Sequence, residues 1–331
     1  GAISLAAGRG IIVKNPAVLE RITRCRTVIL DKTGTLTFGK PTVTEVRAAA
    51  PHDSDEVLRW AASLEQYSRH PLAAAVLDAA ARKKLVLVDV DEVHESPGAG
   101  LIGKISGRKI QIGGRTLAGS HKDLPPPAAG LECVVLIDDR FAAVFRFRDA
   151  PRPESAPFLS HLSPTHGVNK VMLVSGDREV EVRYLAEQVG ISHVIAQATP
   201  EQKVEIVKRE VALDQTLFVG DGINDAPALA AATVGVAMGQ NSDITSAAAG
   251  AVIMTASIGK LDELIHIGAR MRMIALQSAV GGMALSLAGM LLAAAGHLTP
   301  IQGAVAQEVI DLGAVLNALR VGLLPGKLRD F

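Results

Sequence analysis

The chain has 331 residues, of which 48% are hydrophobic, and its mean hydropathy is +0.28. Its 34 basic and 34 acidic residues balance, which argues against a nucleic-acid partner. The two cysteines, Cys25 and Cys133, form no CxxC pair and indicate a reducing cytosol rather than a disulfide scaffold. The nine histidines are scattered, and their spacing along the sequence predicts no group of metal ligands.

The chain opens with a predicted helix. Residues 2–20 are interpreted as a stalk helix, within a segment 1–22 that leads from a membrane span into the first strand.

An aspartate follows the first predicted strand. The apolar run Thr27–Leu30 is rich in β-branched residues, which favours a strand, and it is followed at 31–37 by D-K-T-G-T-L-T. A carboxylate at this position, next to a loop whose N–H groups suit phosphate oxygens, is a candidate nucleophile towards phosphate. The alternative is an ordinary turn that Asp31 caps.

Residues 42–145 interrupt the first domain and are predicted to form a second one. Helical patterning covers 57–84, β-rich stretches follow at 85–93, 102–112 and 134–147, and three prolines at 125–127 mark a loop. Glu65, His70 and the glycine run G-A-G-L-I-G at 98–103 lie within it. The run matches GxGxxG, but the strand, loop and helix context is missing, so a hairpin turn is an alternative. Taken alone, His70 is also consistent with a helix start.

Two later strands end in polar residues, and a lysine lies between them. Residues 171–174 lead into Ser175-Gly176-Asp177, and Pro200 suits the first turn of a helix that contains Lys203. A lysine fixed beside a transferring phosphoryl group stabilises the transition state. The alternatives are a turn residue at Ser175 and a solvated charge at Lys203.

The last of these strands, 216–219, leads into G-D-G-I-N-D-A-P at 220–227. In a doubly wound sheet, ligands bind outside the carboxyl ends of strands, so we expect this loop to meet Asp31. Mg²⁺ prefers carboxylate oxygens together with water and phosphate, which Asp31 and Asp221 would supply, with Asp225 nearby. The alternative to a magnesium site is two loops whose acidic side chains are simply solvated.

The C-terminal part is predicted to be a membrane helix pair over 269–322, with a cytoplasmic tail over 323–331. Residues 273–295 hold no charge and are long enough to cross a bilayer, and a second stretch covers 301–319. Basic residues flank the pair, which puts both outer ends in the cytoplasm. Two buried core helices are the alternative.

Two acids lie inside the second stretch. Glu308 and Asp311 share a helix face, and Gln307 lies beside them. Charged side chains inside a membrane span usually mark ion pathways, and oxygen donors suit a divalent cation better than Cu(I). The alternative for Glu308 is a structural hydrogen bond between helices.

Together the motifs resemble the phosphorylation domain of P-type ATPases, members of the haloacid-dehalogenase superfamily. The resemblance implies an α/β, Rossmannoid phosphorylation domain over 23–41 and 146–268, an inserted α+β nucleotide-binding domain and two C-terminal transmembrane helices. It implies that ATP phosphorylates Asp31, and that Mg²⁺ is bound by the side chains of Asp31 and Asp221 and the carbonyl of Thr33. It further implies that Ser175, Gly176, Lys203 and Asn224 hold the phosphoryl group, with Asp177 also among the catalytic residues.

Two positions refine this resemblance. The family usually has Thr where Ser175 stands, a change that keeps the hydroxyl. Related phosphatases carry an acid two residues after the nucleophile as general acid and base, whereas this chain has Thr33. A phospho-aspartate should therefore hydrolyse slowly.

The second domain resembles the nucleotide-binding domain of heavy-metal P-type ATPases. The resemblance implies that Glu65 and His70 contact adenine and that Gly98 and Gly100 let ATP approach the backbone. Gly114 stands where copper pumps often have Asn, so it is left out of the site.

The resemblance predicts ATP-driven transport of a divalent transition-metal cation, of the zinc, cobalt or cadmium type rather than copper. Gln307 and Glu308 stand where cobalt/zinc-type pumps carry His-Glu, and the set Glu308, Asp311 and Gln307 is the expected cation site. It also implies a multi-pass protein of the cell membrane with cytoplasmic catalytic domains.

The chain lacks a Thr-Gly-Glu loop and earlier membrane helices, so we expect a longer pump whose N-terminal part supplies the actuator domain. Alternatives are a membrane-anchored phosphatase of the same superfamily and an inactive fragment that acts only by interaction.

Overall fold

The structure is a computed structural model that describes residues 1–96, 100–119, 124–128, 130–221, 223–239, 247–255, 257–323 and 328. The chain divides into two compact units, the first formed by Gly1–Leu36 with Arg152–Phe331 and the second by Thr37–Pro151.

The strands and helices of the described residues follow in chain order. The strands are β1 (Ile11–Val13), β2 (Thr27–Leu30), β3 (Thr37–Ala48), β4 (Asp91–Ser96), β5 (Gly100–Ile105), β6 (Arg108–Gly113), β7 (Leu131–Ile137), β8 (Arg140–Pro151), β9 (Lys170–Val174), β10 (His193–Ile195), β11 (Thr216–Gly220), β12 (Val234–Met238) and β13 (Ala251–Ile253). The helices are α1 (Ala2–Gly8), α2 (Ala17–Arg21), α3 (Ser54–Glu65), α4 (Ala73–Arg82), α5 (Ser155–His166), α6 (Glu179–Val189), α7 (Pro200–Leu213), α8 (Ala226–Ala231), α9 (Gly259–Ala294) and α10 (Pro300–Leu319).

The first unit is built on a seven-stranded sheet in the order β1-β13-β12-β11-β2-β9-β10. All neighbouring pairs are parallel except β1 with β13. All four residues of β2 are buried, as is typical of a central parallel strand. Val28 and Leu30 pack into one core and Ile29 into another, because successive side chains of a strand point to opposite faces. This is the expected α/β fold.

The register of the sheet brings three loops together. Leu30 at the end of β2 pairs with Val219 on β11 and with Leu173 on β9. These strands therefore end at the same edge of the sheet, and the polar segments that follow them leave side by side.

The predicted stalk helix over 2–20 is wrong. α1 ends at Gly8, the chain turns at Gly10 with φ +76°, and Ile11–Val13 forms the edge strand β1. The β-branched run Ile11-Ile12-Val13 favours a strand, and Pro16 then precedes the short helix α2. Strand pairing with β13 therefore replaces helix in the middle of the segment.

The second unit contains a six-stranded antiparallel sheet in the order β3-β8-β7-β6-β5-β4. Its core also takes apolar residues from α3 and α4. The unit is longer at both ends than the predicted 42–145, because β3 and β8 pair from Thr37 opposite Pro151 to Ala48 opposite Ala143. The helical region at 57–84 is two helices, and residues 85–90 of the predicted strand lie outside β4.

The C-terminal helices begin inside the first unit. α9 runs for 36 residues across the predicted boundary at 268/269, with Leu261, Leu264 and Ile265 buried in the core and later apolar side chains exposed. Within the described residues, α9 is the one helix whose length and apolar composition suit a membrane span. α10 packs against it: Asn317 Nδ2 donates to Ser278 Oγ at 2.9 Å.

Candidate active site

Asp31 lies at the carboxyl end of β2, in the interior of the sheet, and is 6% exposed. Its backbone N–H donates to the carbonyl of Val219 on β11 at 2.9 Å, which extends the strand pairing up to the carboxylate. The backbone N–H of Thr33 donates to Asp31 Oδ2 at 3.2 Å. The predicted strand is therefore formed, and an N–H group of the following loop faces the carboxylate.

Lys203 contacts the Asp31 carboxylate. Its Nζ donates to Asp31 Oδ1 at 2.6 Å and to Asp225 Oδ1 at 2.7 Å. The start of α7 is fixed by a capping box in which Thr199 and Gln202 exchange side-chain and backbone hydrogen bonds, with Pro200 in the first turn. Lys203 is 7% exposed, so it is not a solvated helix charge.

Three carboxylates gather around this lysine. Asp31, Asp221 and Asp225 offer oxygen atoms that all lie within 4.8 Å of one another. Gly34 has φ +72°, and a Cβ built on it would lie 1.5 Å from Asp221 Oδ2. A side chain at position 34 would therefore displace Asp221, which explains the need for glycine in this loop.

The electrostatics of the cluster favour a cation. Burial raises the pKa of Asp31, Asp225 raises it further, and the ammonium of Lys203 lowers it. Three carboxylates beside one ammonium leave excess negative charge in a buried place, and all the acidic donors are oxygens. Mg²⁺ prefers such donors, so the residues present fit this ion.

The loop after β9 lies on the other side of β2. Ser175 is 3% exposed, and its Oγ accepts from the backbone N–H of Asp177 at 3.2 Å. The Asp177 carboxylate forms an ion pair with Lys32, the residue after Asp31. The structure thus joins the Ser175-Gly176-Asp177 loop to the loop after Asp31 through Lys32, while Lys203 contacts Asp31 directly.

Two predicted site residues have exposed side chains. Thr33 contributes its backbone N–H to Asp31, and its side chain is exposed. Asn224 follows β11 on the short turn Ile223–Asp225, and its side chain is exposed as well. With the described residues, the Asn224 side chain makes no hydrogen bond in the site.

Arg152 supports the loop that follows Asp31 and was not predicted. It is 6% exposed, and its Nε and Nη2 donate to the carbonyls of Thr35 at 3.1 Å and Gly34 at 3.0 Å. Ser155 Oγ adds a bond to the Leu36 carbonyl at 2.9 Å. Arg152 belongs to no recognisable motif and lies far from Asp31 in sequence, so only the fold shows this contact.

The predicted nucleotide residues lie in the second unit. Glu65, at the end of α3, is 6% exposed, and burial raises its pKa to about 7. His70 is exposed, and its Nδ1 accepts from the Leu72 N–H at 3.2 Å just before α4. Gly100 has φ +90°, and a Cβ there would lie 2.1 Å from the Ile112 carbonyl oxygen. Gly98 lies outside the described residues.

Glu95 organises the turn between Glu65 and His70, a role that the sequence did not indicate. Ser68 Oγ donates to Glu95 Oε1 at 2.8 Å, and the Arg69 N–H donates to Glu95 Oε2 at 3.3 Å. Glu95 lies on β4, so the sheet holds the turn that presents His70.

In the C-terminal helices, Gln307 joins two elements. Ser286 Oγ on α9 donates to Gln307 Oε1 at 3.0 Å, and Gln307 Nε2 donates to Asp311 Oδ1 at 3.1 Å. Glu308 is exposed, and among the described residues it makes no hydrogen bond. Of the three residues predicted to bind the transported cation, Gln307 and Asp311 are therefore hydrogen-bonded to each other.

The expectation that the histidines form no group of metal ligands is wrong. His161, His166 and His266 meet Asp262 with ligand atoms within 4.8 Å of one another. The sequence did not show this because the residues come from two helices, α5 and α9, that are distant along the chain and adjacent in space.

The chain is similar to known proteins over most of its length. A haloacid dehalogenase-like hydrolase family model matches residues 25–233. A probable copper-transporting ATPase, SynA of Synechococcus sp., is 36% identical over 333 residues, which cover 96% of this chain and 42% of that protein. The chain therefore spans less than half the length of this curated relative.

Two solved structures are similar. A zinc-transporting PIB-type ATPase in an E2.Pi state has a TM-score of 0.83 at 29% identity and covers 97% of this chain, which covers 53% of it. The catalytic domain of the CPx-ATPase CopB-B has a TM-score of 0.65 at 33% identity, with coverages of 80% and 98%. The chain belongs to the haloacid dehalogenase-like hydrolases and, within them, to the heavy-metal P-type ATPases.

Proposed function

We propose that the chain is the catalytic and C-terminal membrane part of a pump that uses ATP to move a divalent transition-metal cation across a membrane, through phosphorylation of Asp31. The supporting observation is the buried Asp31 carboxylate in contact with Lys203, beside Asp221 and Asp225, at the carboxyl ends of parallel strands. The actuator domain and earlier membrane helices are proposed to precede this chain.

The proposed reaction is attack by an Asp31 carboxylate oxygen on the γ-phosphorus of ATP. A new O–P bond forms, the bond between the γ-phosphorus and the β–γ bridging oxygen breaks, and ADP leaves. Lys203 is suited to stabilise the developing charge because its ammonium already contacts Asp31 Oδ1. Asp31, Asp221 and the Thr33 carbonyl would hold Mg²⁺, which when bound neutralises charge on the phosphates.

The residue two places after Asp31 supports a long-lived phospho-aspartate. Thr33 offers a hydroxyl, which is not a general base at neutral pH. Arg152 and Ser155 hold the carbonyls of the same loop, so the loop is fixed without supplying a base at that position. Slow hydrolysis would leave time for a conformational cycle, which distinguishes a pump from a phosphatase.

The nucleotide is proposed to bind through Glu65 and His70. Glu65 Oε2 is buried and has no hydrogen-bond partner among the described residues, which is costly for a lone acceptor. The exocyclic amino group of adenine is a donor that would satisfy it. His70 Nδ1 already accepts a backbone hydrogen bond, so the neutral ring carries its proton on Nε2 and offers a donor. Gly98 and Gly100 are proposed to border the same site.

α9 and α10 are proposed to cross the membrane as a pair, so that the protein is multi-pass with its catalytic units in the cytoplasm. α10 has 20 residues. At 1.5 Å per residue a helix of this length spans roughly 30 Å, the thickness of the hydrocarbon core. The hydrogen bonds of Ser278 and Ser286 to α10 support packing of the pair.

The transported cation is proposed to bind Glu308, Asp311 and Gln307. These donors are oxygens, and α10 contains neither Cys nor Met. Such a site favours a divalent ion of the Zn²⁺, Co²⁺ or Cd²⁺ type over Cu(I), which prefers sulfur. The similar proteins include both a probable copper pump and a zinc pump, so the donor set, rather than overall similarity, supports this choice.

The phosphorylation is tested by labelling the complete pump in vesicles with radiolabelled ATP and counting acid-stable label on the protein. Asp31→Asn is expected to abolish the label. Asp214→Asn, which changes an exposed carboxylate at the end of α7, is the matched control and should keep it. Acid-stable label on Asp31→Asn would overturn the proposal.

The cargo is tested in the same vesicles with Zn²⁺, Co²⁺, Cd²⁺, Ni²⁺, Fe²⁺ and Cu⁺. The proposed cation site is supported if one divalent ion stimulates labelling of the parent protein and Glu308→Ala abolishes that stimulation. Label that responds to none of these metals would place the cargo outside the transition metals. Steady hydrolysis of a small phosphate ester without label would instead favour a phosphatase.

A further inference from the structure

Four metal-ligating side chains meet where α5 packs beside the start of α9. His161 and His166 come from the second half of α5, and Asp262 and His266 lie one turn apart on α9. The group belongs to the first unit and is separate from the Asp31 cluster, with which it shares no residue.

The ligand atoms converge on one small volume. Asp262 Oδ1 lies 2.8 Å from His161 Nε2, 2.9 Å from His166 Nε2 and 3.6 Å from His266 Nε2. The two imidazole nitrogens of His161 and His166 are 2.9 Å apart. Four side chains thus direct one atom each at a common point.

The group is built into the fold and is not a loose surface cluster. The Asp262 side chain is fully buried, and the side chains of His161, His166 and His266 are 11%, 9% and 22% exposed. Arg26 Nη1 donates to the His166 carbonyl at 3.2 Å and fixes the last turn of α5. His266 keeps enough exposure for an ion to enter.

With Asp262 ionised, protons alone do not satisfy the three shortest contacts. If His161 and His166 both donate to Asp262, their N–H groups face each other at 2.9 Å. If instead one histidine accepts from the other, its lone pair faces the carboxylate oxygen. One contact in the triangle is therefore repulsive in either tautomer pattern, because each Nε2 has one proton or one lone pair. A cation between the three atoms turns all of them into ligands.

The spacing suits a small tetrahedral ion. Zn–N bonds of about 2.0–2.1 Å give ligand-to-ligand distances of roughly 3.3 Å in a tetrahedron. The distances from Asp262 Oδ1 to the three imidazole nitrogens bracket that value at 2.8, 2.9 and 3.6 Å. Imidazole donors disfavour Mg²⁺ and Ca²⁺, and the absence of sulfur from the four ligands disfavours Cu(I).

We propose that His161, His166, Asp262 and His266 form a binding site for a divalent transition metal such as Zn²⁺, which joins α5 to the base of the membrane helix α9. The metal would connect the catalytic unit to the helix that leads into the membrane. Its occupancy would follow the supply of free metal on the catalytic side. The site does not depend on phosphorylation of Asp31, so the two proposals can fail separately.

The test is titration of the purified chain in detergent with Co²⁺, whose visible absorption reports tetrahedral coordination. The background carries Glu308→Ala and Asp311→Ala, so that the membrane acids do not contribute. We expect one strongly absorbing Co²⁺ per chain, displaced by Zn²⁺. His166→Gln should weaken binding at least about tenfold, since loss of even a supporting partner costs a metal site that much.

Three further variants distinguish a metal ligand from a merely structural histidine. His193→Gln changes an exposed histidine on β10 and should bind Co²⁺ like the parent. His266→Cys keeps a metal ligand and should retain a tetrahedral spectrum, whereas His266→Gln should not. In parallel, Zn²⁺ should raise the thermal midpoint of the parent but not of His166→Gln. Unchanged Co²⁺ binding in His166→Gln, or equal loss in His193→Gln, would overturn the proposal.

Discussion

The two clusters of polar side chains in the first unit balance their charge in different ways. Around Asp31, a fixed ammonium from Lys203 sits between carboxylates, and every acidic donor is an oxygen. Around Asp262, imidazole nitrogens crowd one carboxylate oxygen. The first cluster suits a hard ion beside phosphates, and the second suits a transition metal held by nitrogen. From these donor sets, we expect the first unit to bind two kinds of metal ion at separate sites.

The largest expected effect comes from removing the ammonium. Lys203→Met leaves Asp31 and Asp225 buried without their shared donor and removes charge stabilisation next to the transferring phosphoryl group. We expect the rate of phosphoenzyme formation to fall by about 10²–10³, as when one such donor is lost elsewhere. Rapid-quench labelling measures it. Lys208→Met, at an exposed position of the same helix, should stay near the parent rate.

A crossed pair of substitutions tests whether the clusters are independent. Asp221→Asn removes charge from the oxygen site and should raise the Mg²⁺ concentration for half-maximal phosphorylation by about tenfold. It should leave the Co²⁺ spectrum unchanged. His166→Gln should weaken Co²⁺ binding and leave the Mg²⁺ dependence of phosphorylation unchanged. Loss of both properties in either variant would mean that the clusters are coupled through the fold.

Gly34 tests how tightly the oxygen site is built. Gly34→Ala and Gly190→Ala both place a side chain at positive φ, at +72° and +79°, which costs about 1–2 kcal/mol. Only Gly34→Ala also drives a Cβ against Asp221, since no heavy atom lies within 4 Å of a Cβ at Gly190. The displacement should add at least about 1 kcal/mol. Thermal unfolding with and without Mg²⁺ should show that Gly34→Ala loses more stability than Gly190→Ala. Equal losses of stability in the two variants would contradict the predicted contact with Asp221.

The oxygen site was predictable because its parts are local in sequence. Asp31, Ser175 and Asp221 each follow directly on an apolar strand, and parallel strands that neighbour each other end at one edge. Each strand therefore carries its own signal, and the topology of the sheet assembles them. Lys203 was predictable for a similar reason, since Pro200 marks the start of its helix.

The histidine site was not predictable because nothing local marks it. His161 lies on α5 with other polar residues, and Asp262 lies at the start of a long apolar helix. Their meeting depends on how α5 and α9 pack, which a single sequence does not contain. The same holds for Arg152, whose contacts with Gly34 and Thr35 join the two segments of the first unit that the inserted unit separates in sequence. At the N-terminus, the prediction of one helix over 2–20 was wrong because residues 11–13 pair with β13 as a strand.

Glu65 gives the smallest expected effect and a third comparison, since among the described residues this buried acid forms no ion pair with a lysine and belongs to no histidine cluster. Burial raises its pKa to about 7, against a lowering by Ser68 and with a further rise from Glu95, so the carboxyl is largely protonated below neutral pH in the free protein. An adenine amino group that donates to Glu65 favours the carboxylate. Binding should therefore release a proton near neutral pH, and ATP affinity should increase as the pH rises through about 7.

A fall of half a pKa unit on binding corresponds to about a threefold gain in affinity. Calorimetry between pH 6 and 8, in buffers of different ionisation enthalpy, measures both the gain and the released proton. Glu65→Gln keeps an oxygen acceptor but does not titrate, so its pH dependence reports the other titrating groups, such as the phosphates of ATP and His70. If Glu65→Gln and the parent show the same pH dependence, Glu65 does not face the nucleotide. The burial of Glu65 Oε2 without a hydrogen-bond partner among the described residues would then only reduce the stability of the fold at the end of α3.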